Sequence, residues 1–482
     1  MNSVNKKQNI NRGKLFIQNM LVFGLSTVLT KLVPLIMLPI ITAYLVDTAD
    51  YGRYDMFLTI VEFGTNIAVL GLYDAMFREY FERDELQYKK TVTSTAITIV
   101  LISGISTFII LALLNKPFSK LFLGDFNSGK IVILAGFAVV LSSAERILAA
   151  PLKMENRRKM IIVLGVGGAV LHYAIAMAFV LMGMNYSGMI YANLVYVAIM
   201  VMIYVILNRY FFEIGTINNS VAKTLLKIGI PLMPTFIIYW VFHAMDKIMI
   251  TNMIGLGDEG IYSVGAKVAQ ISQIIYTAFS MGWQYFAFST MKDRDQVELN
   301  SKVMYYLSIA SYAAFICISF LSDWIFSTFF RGDYSQGVIV FPYLFLSPLI
   351  LMLFQVIGNQ TIVYKKSYLN TISLLFGALT NLILNYILIR AIGIKGAAIA
   401  TLLSYIVSFG AMIIIAIKNK WIIINRQFVL ITIITTIFLA VSIFAPRFIQ
   451  NVCGFISLAA IILITKDDIK RLMDNLIMHK EA

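Results

Sequence analysis

The sequence predicts an all-α polytopic membrane protein of fourteen transmembrane helices. Twelve form two parallel six-helix lobes related by a pseudo-twofold, and two more follow at the C-terminal end. Three observations predict it. First, 59% of the 482 residues are apolar and only 13% are charged, against about 45–50% and about 25% in a soluble globular protein, so lipid is the solvent for most of the chain. Second, the apolar residues fall into fourteen runs, each long enough to cross a hydrocarbon core of about 30 Å as a helix. Third, a set of residues recurs at one fixed offset between the two halves. Disorder and a disulfide scaffold are excluded by the same composition. The two cysteines, Cys317 and Cys453, lie in apolar runs and read as small core hydrophobes.

The runs are 15–44, 55–80, 91–114, 130–150, 160–182, 187–208, 226–253, 260–288, 302–329, 337–361, 368–389, 395–417, 427–444 and 448–465. Unpaired backbone groups are not tolerated in lipid, so each is a helix or a strand of a closed barrel. The runs lack period-two alternation and are too long for barrel strands, which leaves helices. The polar, basic N-terminus precedes a first run too long for a cleavable signal, so that run is read as a retained span. With the N-terminus in the cytoplasm, 28 Lys and Arg fall to the cytoplasmic segments and the span ends adjoining them, 8 to the outer loops and the span ends adjoining those, and three, Lys31, Lys247 and Lys267, lie deeper inside spans. Basic residues stay on the cytoplasmic side, so the net charge of +14 is mainly a topology signal and nucleic-acid binding is not expected. Both termini are placed in the cytoplasm. The polar tail from Lys466 is expected to lie on that surface as a short amphipathic helix.

The repeat has an offset of 208 residues. Asp50-Tyr51-Gly52-Arg53-Tyr54 matches Asp258-Glu259-Gly260-Ile261-Tyr262, Arg157-Arg158 meets Lys365-Lys366, and Gly188 and Ala192 meet Gly396 and Ala400. The offset covers six helices, an even number, so the two copies share one orientation. Residues 1–212 then form an N-lobe of helices 1–6, residues 213–420 a C-lobe of helices 7–12, and residues 421–482 helices 13 and 14 with the tail. The first helix of each copy carries a proline pair, Pro34/Pro39 and Pro231/Pro234, which favours bendable helices along a central cleft.

Charges within the spans are the candidate site. A charge at mid-membrane costs about 2.5–3.5 kcal/mol on insertion scales, so such residues face a cavity or a partner. Lys31, Lys267 and Lys247 are point cations suited to a phosphate crossing a wet cleft. Lys31 has Glu62 as an alternative structural partner, and Lys247 is near enough to the outer surface to snorkel. Arg78, near the cytoplasmic end of helix 2, is a further headgroup contact or the i,i+4 partner of Asp74. Asp246, Asn381, Asn385 and Thr401 offer oxygens to a hard cation or form an interhelical polar clamp. Glu62 and Asp74 complete the polar cleft residues. His172 reads as a core residue, and His243 lies one turn before Asp246. Trp283–Phe286 reads as an interfacial belt, and Gln355, Asn359 and Gln360 are hydrogen-bonding groups for sugars or for neighbouring helices.

Four segments carry a family resemblance: LGLYDAMFREYF (Leu70–Phe81), KIGIPLMPTFIIYWVFHAMDKIMI (Lys227–Ile250), GDEGIYSVGAKVAQ (Gly257–Gln270) and GIKGAAIATLLSY (Gly393–Tyr405). They resemble the Wzx-type polysaccharide flippases, of the multidrug/oligosaccharidyl-lipid/polysaccharide exporter superfamily that also holds the multidrug and toxin extrusion (MATE) antiporters and the lipid II flippases. The resemblance covers essentially the whole chain. It implies a cell-membrane flippase that moves an undecaprenyl-pyrophosphate-linked oligosaccharide from the cytoplasmic to the outer leaflet by alternating access, for cell-surface polysaccharide biosynthesis. Other membrane proteins of polysaccharide assembly are candidate partners. A cation at the comparable place in the lipid II flippases supports Lys267. Asn381, Asn385 and Thr401 resemble the sodium site of those flippases, with Asp246 as its carboxylate. Asn385 stands where a second carboxylate would be expected. No cofactor and no transition metal is implied beyond a coupling Na+ or H+.

Two other readings compete. A cation-coupled MATE-type multidrug antiporter predicts an anionic cleft, whereas three lysines lie in these spans. A polysaccharide polymerase needs a large outer loop with catalytic residues, and the longest here, Asn115–Ser128, has a lone Asp125. No Walker A, GxSxG or HExxH pattern is present, so an enzyme is not expected.

Overall fold

The computed structural model describes residues 28–213, 215–290 and 294–478, and all the regular structure among them is helical. Helix α1 is Val28–Thr42. It is followed by α2 Thr48–Val69, α3 Leu72–Tyr80, α4 Leu86–Leu113, α5 Asn115–Leu123, α6 Gly129–Leu148, α7 Ala150–Met154, α8 Arg158–Leu181 and α9 Asn185–Asn208. Then come α10 Asn219–Gly229, α11 Met233–Met253, α12 Leu256–Ser289, α13 Gln296–Phe329, α14 Phe341–Val363, α15 Tyr368–Ile392, α16 Ile394–Lys418, α17 Arg426–Phe444 and α18 Arg447–Met478. The chain divides into two compact units. The first holds the described residues up to Val264 with Phe330–Tyr334 and Ile389–Ile394; the second holds Gly265–Phe329, Ser335–Leu388 and the described residues from Lys395 on.

Among the described residues, ten helical segments are long and apolar enough to cross a membrane, and an eleventh if the bent pair α2–α3 counts as one span. Of the fourteen expected spans, the first, seventh and eighth fall short of this measure. The first lies partly outside the described residues, leaving the short apolar α1. The seventh and eighth correspond to α11 and α12, which carry Asp246, Lys247, Asp258, Glu259 and Lys267. The tail from Lys466 continues α18 as one helix to Met478 rather than starting a separate one.

In the first unit, Asp47 starts α2 by accepting from the Ala49 amide at 2.9 Å, which satisfies one of the free donors of a helix N-terminus. The expected span 55–80 is not straight. Leu70 and Gly71 are both left-handed, with φ of 54° and 67°, and α3 leaves α2 at 44°. A Cβ at Gly71 would collide with the Gly229 carbonyl, and one at Gly229 with the Leu70 carbonyl, so the bend rests on two backbones in direct contact. The proline pairs behave differently. α1 runs on through Pro34 and Pro39, whereas Pro231 lies in a 3-10 turn, Ile230–Leu232, that separates α10 from α11, and Pro234 sits in the first turn of α11. There the missing amide costs nothing. Below the bend, Leu72, Met76 and Tyr80 of α3 pack with Val92 and Ile97 of α4 and Leu225 of α10 in one apolar cluster.

The starts of α2 and α12 meet within the first unit. A Cβ on Gly52 would lie closer than 3.0 Å to the Leu256 carbonyl, and one on Gly260 closer than 3.0 Å to the Thr48 carbonyl. Thr48 and Leu256, like Gly52 and Gly260, are separated by the repeat offset of 208 residues. Each copy therefore presents its glycine to the other's backbone, a reciprocal contact of the kind that a twofold produces.

In the second unit α13 packs on α14, α17 and α18, and α17 on α18. Arg447, at the start of α18, reaches Asp323 of α13 at 2.6 Å. Lys395 donates to the Ile443 carbonyl at 2.7 Å and Tyr343 to the Ser442 carbonyl at 2.8 Å. A cation at the C-terminal carbonyls of α17 suits the helix dipole.

Candidate functional site

A cluster of buried charge in the first unit lies beside the reciprocal glycine contact, with Glu259 next to Gly260 and Asp55 three residues after Gly52. Lys247 of α11 donates from Nζ to Asp55 Oδ2 of α2 at 2.6 Å. Ser263 of α12 donates to the same oxygen at 2.9 Å and also bonds Glu259 on its own helix. Asp55 is 2% exposed and Glu259 is fully buried. The cluster therefore sets two buried carboxyl groups against one partly exposed lysine. Such an arrangement persists only where hydrogen bonds replace the lost hydration. Asp55, Glu259 and Ser263 were not among the residues expected from sequence. A signal was present, because Asp55 and Ser263 are also related by the repeat offset of 208 residues.

The expected cations have different surroundings. Lys31, on α1, is half-buried and makes no ion pair or hydrogen bond among the described residues, so the alternative pairing with Glu62 is not formed there. Glu62 is exposed on α2. Lys247 is held by Asp55. Lys267 lies half-buried on the part of α12 that belongs to the second unit. Arg78 is exposed at the end of α3, with Glu79 at 3.4 Å and Glu82 at 3.9 Å as its carboxylate neighbours rather than Asp74. Asp74 lines a small cavity of about 20 Å³ with Asn66, Tyr73 and Arg146.

The polar constellation is brought together in part. In the second unit, Asn381 donates to Thr401 Oγ1 at 3.3 Å and Asn385 donates to Asn381 Oδ1 at 3.0 Å. All three are buried, a chain of neutral oxygens one helical turn apart. Asp246 belongs to the first unit, where it is buried and accepts from Tyr262 at 2.8 Å. His172 stacks on Tyr196 at 5.0 Å and faces the Tyr54 hydroxyl at 3.5 Å. The side chains of His243 and of residues 284–286 lie outside the described ones, while Trp283 is buried against Phe279. Gln355 donates to Asn359 at 3.0 Å. Asp125 is spent on its own turn, accepting from the Asn127 and Ser128 amides at 2.6 and 2.8 Å.

Comparison with known proteins bears on the family and the fold. A family model described as polysaccharide biosynthesis protein matches residues 41–330. An uncharacterized membrane protein of Methanocaldococcus jannaschii is 25% identical over 399 residues, covering 79% of this chain and 93% of the other. Among solved structures, the lipid II flippase MurJ in an inward closed conformation superposes with a TM-score of 0.71 at 13% identity, over 93% of this chain and all of that one. An inward-facing MATE family multidrug resistance transporter gives 0.61 at 12% identity, over 80% and 93%. A transporter of the same superfamily from Pyrococcus furiosus, described as having a binding pocket of reverse polarity, gives 0.55 at 14% identity, over 84% and 96%. These likenesses establish the fold. The matching structures are a flippase and transporters, not catalytic enzymes, and the apolar helices are those of a multi-pass membrane protein.

Proposed function

The chain belongs to the polysaccharide biosynthesis protein family, and on that premise we propose that it is a flippase for an undecaprenyl-pyrophosphate-linked oligosaccharide, moved from the cytoplasmic to the outer leaflet by alternating access of two lobes. The observation that carries this reading is the family match on a chain with the fold of a lipid II flippase. A pyrophosphate is a dense anion, and the cost of taking it through about 30 Å of low dielectric falls when cations replace its hydration. Lys31, without a countercharge among the described residues, has that role in the proposal together with Lys267. Arg78 meets the headgroup at the cytoplasmic mouth. Lys247 reaches it only after release from Asp55. The lobes are taken as residues 1–212 and 213–420, with 421–482 outside the repeat. Transport draws on a Na+ or H+ gradient, with Asp246, Asn381, Asn385 and Thr401 as the coupling residues.

Depleting the protein tests the proposal. Lipid-linked glycan should then accumulate on the cytoplasmic leaflet, measured by its protection from an impermeant glycan-modifying reagent. Accumulation of cationic dyes instead would replace the reading with the antiporter one. Lys31→Ala and Lys267→Ala should each abolish complementation with the protein still present in the membrane. Normal export in both would remove the headgroup assignment. Collapsing the sodium and proton gradients separately identifies the coupling ion.

A further inference from the structure

A polar cavity of about 450 Å³ opens where α3, the start of α4 and the start of α10 converge, on the side that the Lys and Arg distribution assigns to the cytoplasm. We propose that this cavity is a saccharide-binding site that takes the neutral, hydroxyl-rich part of the cargo; the inference rests on the flippase reading above. Its size falls in the range of small-molecule sites, but those are mostly apolar with a few polar groups. Here the walls are carboxylate, amide, guanidinium and hydroxyl, with Glu79, Arg83, Glu85, Gln87, Tyr88 and Asn218 prominent among them. A ligand made mainly of hydroxyls is the class for which such walls are complementary. Each hydroxyl both donates and accepts, carboxylates and amide oxygens accept, and amide and guanidinium N–H groups donate.

Charge narrows the class. Two carboxylates line the cavity against one arginine, so a phosphate is disfavoured inside it. Arg78 lies beside the cavity instead, 3.4 Å from Glu79. A cargo with its phosphates at Arg78 and its first sugars in the cavity satisfies both.

The site is also built rather than incidental. Glu79 is buried and its carboxylate is fixed by the hydroxyl of Tyr88, whose ring is covered by Arg83 at 4.7 Å. The opposite wall is held against α4 by the segment joining α9 to α10. Lys90 pairs with Glu213, the Glu213 amide donates to Ser94 at 2.8 Å, and the Asn218 amide donates to Thr95 at 3.2 Å. Asn218 then caps α10, accepting from the Val221 amide at 3.1 Å.

The test uses the full-length protein in detergent. The probe is the lipid-free glycan released by mild acid from the lipid-linked pool of depleted cells, dephosphorylated and tritium-labelled. Saturable binding that is insensitive to raised salt is expected. Gln87→Ala, at an exposed position, should weaken it about tenfold, the value of a hydrogen bond at the upper end of the neutral range. Thr224→Trp, which fills the cavity from α10, should abolish it. No saturable binding by the wild type, wild-type binding in both variants, or displacement of the glycan by spermidine would each overturn the inference, the last because it marks a cation site. Failure of the flippase reading shows in another readout: depletion then leaves the leaflet distribution of lipid-linked glycan unchanged, whatever the binding assay gives.

Discussion

At Lys247 the cost of burying charge decides what the side chain does. Its ammonium bonds Asp55, and Glu259 lies beside them. Removing one member of a buried ion pair costs about 3–5 kcal/mol because the other is left uncompensated. The Lys247 side chain is 23% exposed, so Lys247→Met should fall at the lower end, about 3 kcal/mol. The measurement is the denaturation midpoint of the purified protein, and the double variant Asp55→Asn/Lys247→Met should lose less than the two single losses combined. An unchanged midpoint in Lys247→Met would mean that the pair contributes nothing to the fold. From sequence, Lys247 read as a headgroup ligand or a snorkelling residue, and Asp55 was only the first residue of a run. Pairing across helices depends on which faces approach, which composition along one helix does not encode. The repeat register was the available clue, since it set Asp55 opposite Ser263.

That approach is decided at the level of elements, by small residues. Gly52 and Gly260 let the starts of α2 and α12 meet backbone to backbone. A methyl at either would meet a carbonyl oxygen of the other helix, which cannot swing aside as a side chain can. Gly52→Ala and Gly260→Ala should each cost about 3 kcal/mol, at the upper end of ordinary overpacking, and should break the Lys247–Asp55 bond as the helices separate. Gly167→Ala is the control. Its Cβ would meet nothing within 4 Å, so the better helix propensity of alanine should leave stability the same or raise it by up to about 1 kcal/mol. Thermal aggregation of the three variants in parallel checks this, and Gly52→Ala and Gly260→Ala proteins as stable as Gly167→Ala would show that the close contact does not limit stability. The two proline pairs looked alike in sequence, yet only the second interrupts a helix. Pro231 coincides with the Gly71–Gly229 contact, a tertiary feature that a residue pattern does not contain.

For the whole molecule, lipid made the fold class legible. Backbone pairing leaves only helices for long apolar runs, and the boundaries expected for the later spans lie close to those of α13 to α17 and to the start of α18. Several helices turn most of their apolar surface outward; only 11% of the α8 window is buried inside the protein, which is reasonable only if acyl chains cover the rest. α11 and α12 fall short of the apolar measure that the later spans meet. The count of fourteen therefore has a test that does not depend on hydropathy, namely parity. Cys317 and Cys453 are first replaced by serine, and single cysteines are introduced at the exposed positions Lys116, Lys159, Asp333 and Lys418. Lys116 and Asp333 follow odd-numbered spans, the third and the ninth, whereas Lys159 and Lys418 follow the fourth and the twelfth. An impermeant maleimide should label Lys116→Cys and Asp333→Cys on intact cells, and Lys159→Cys and Lys418→Cys only after permeabilisation. The charge distribution requires this orientation, since reversing it would place most of the basic residues outside. One span too many or too few between Lys159 and Asp333 would put those two cysteines on the same side. α11 and α12, which carry Lys247 and Glu259, lie in that interval and fall short of the apolar measure, so one span too few would bear first on these two.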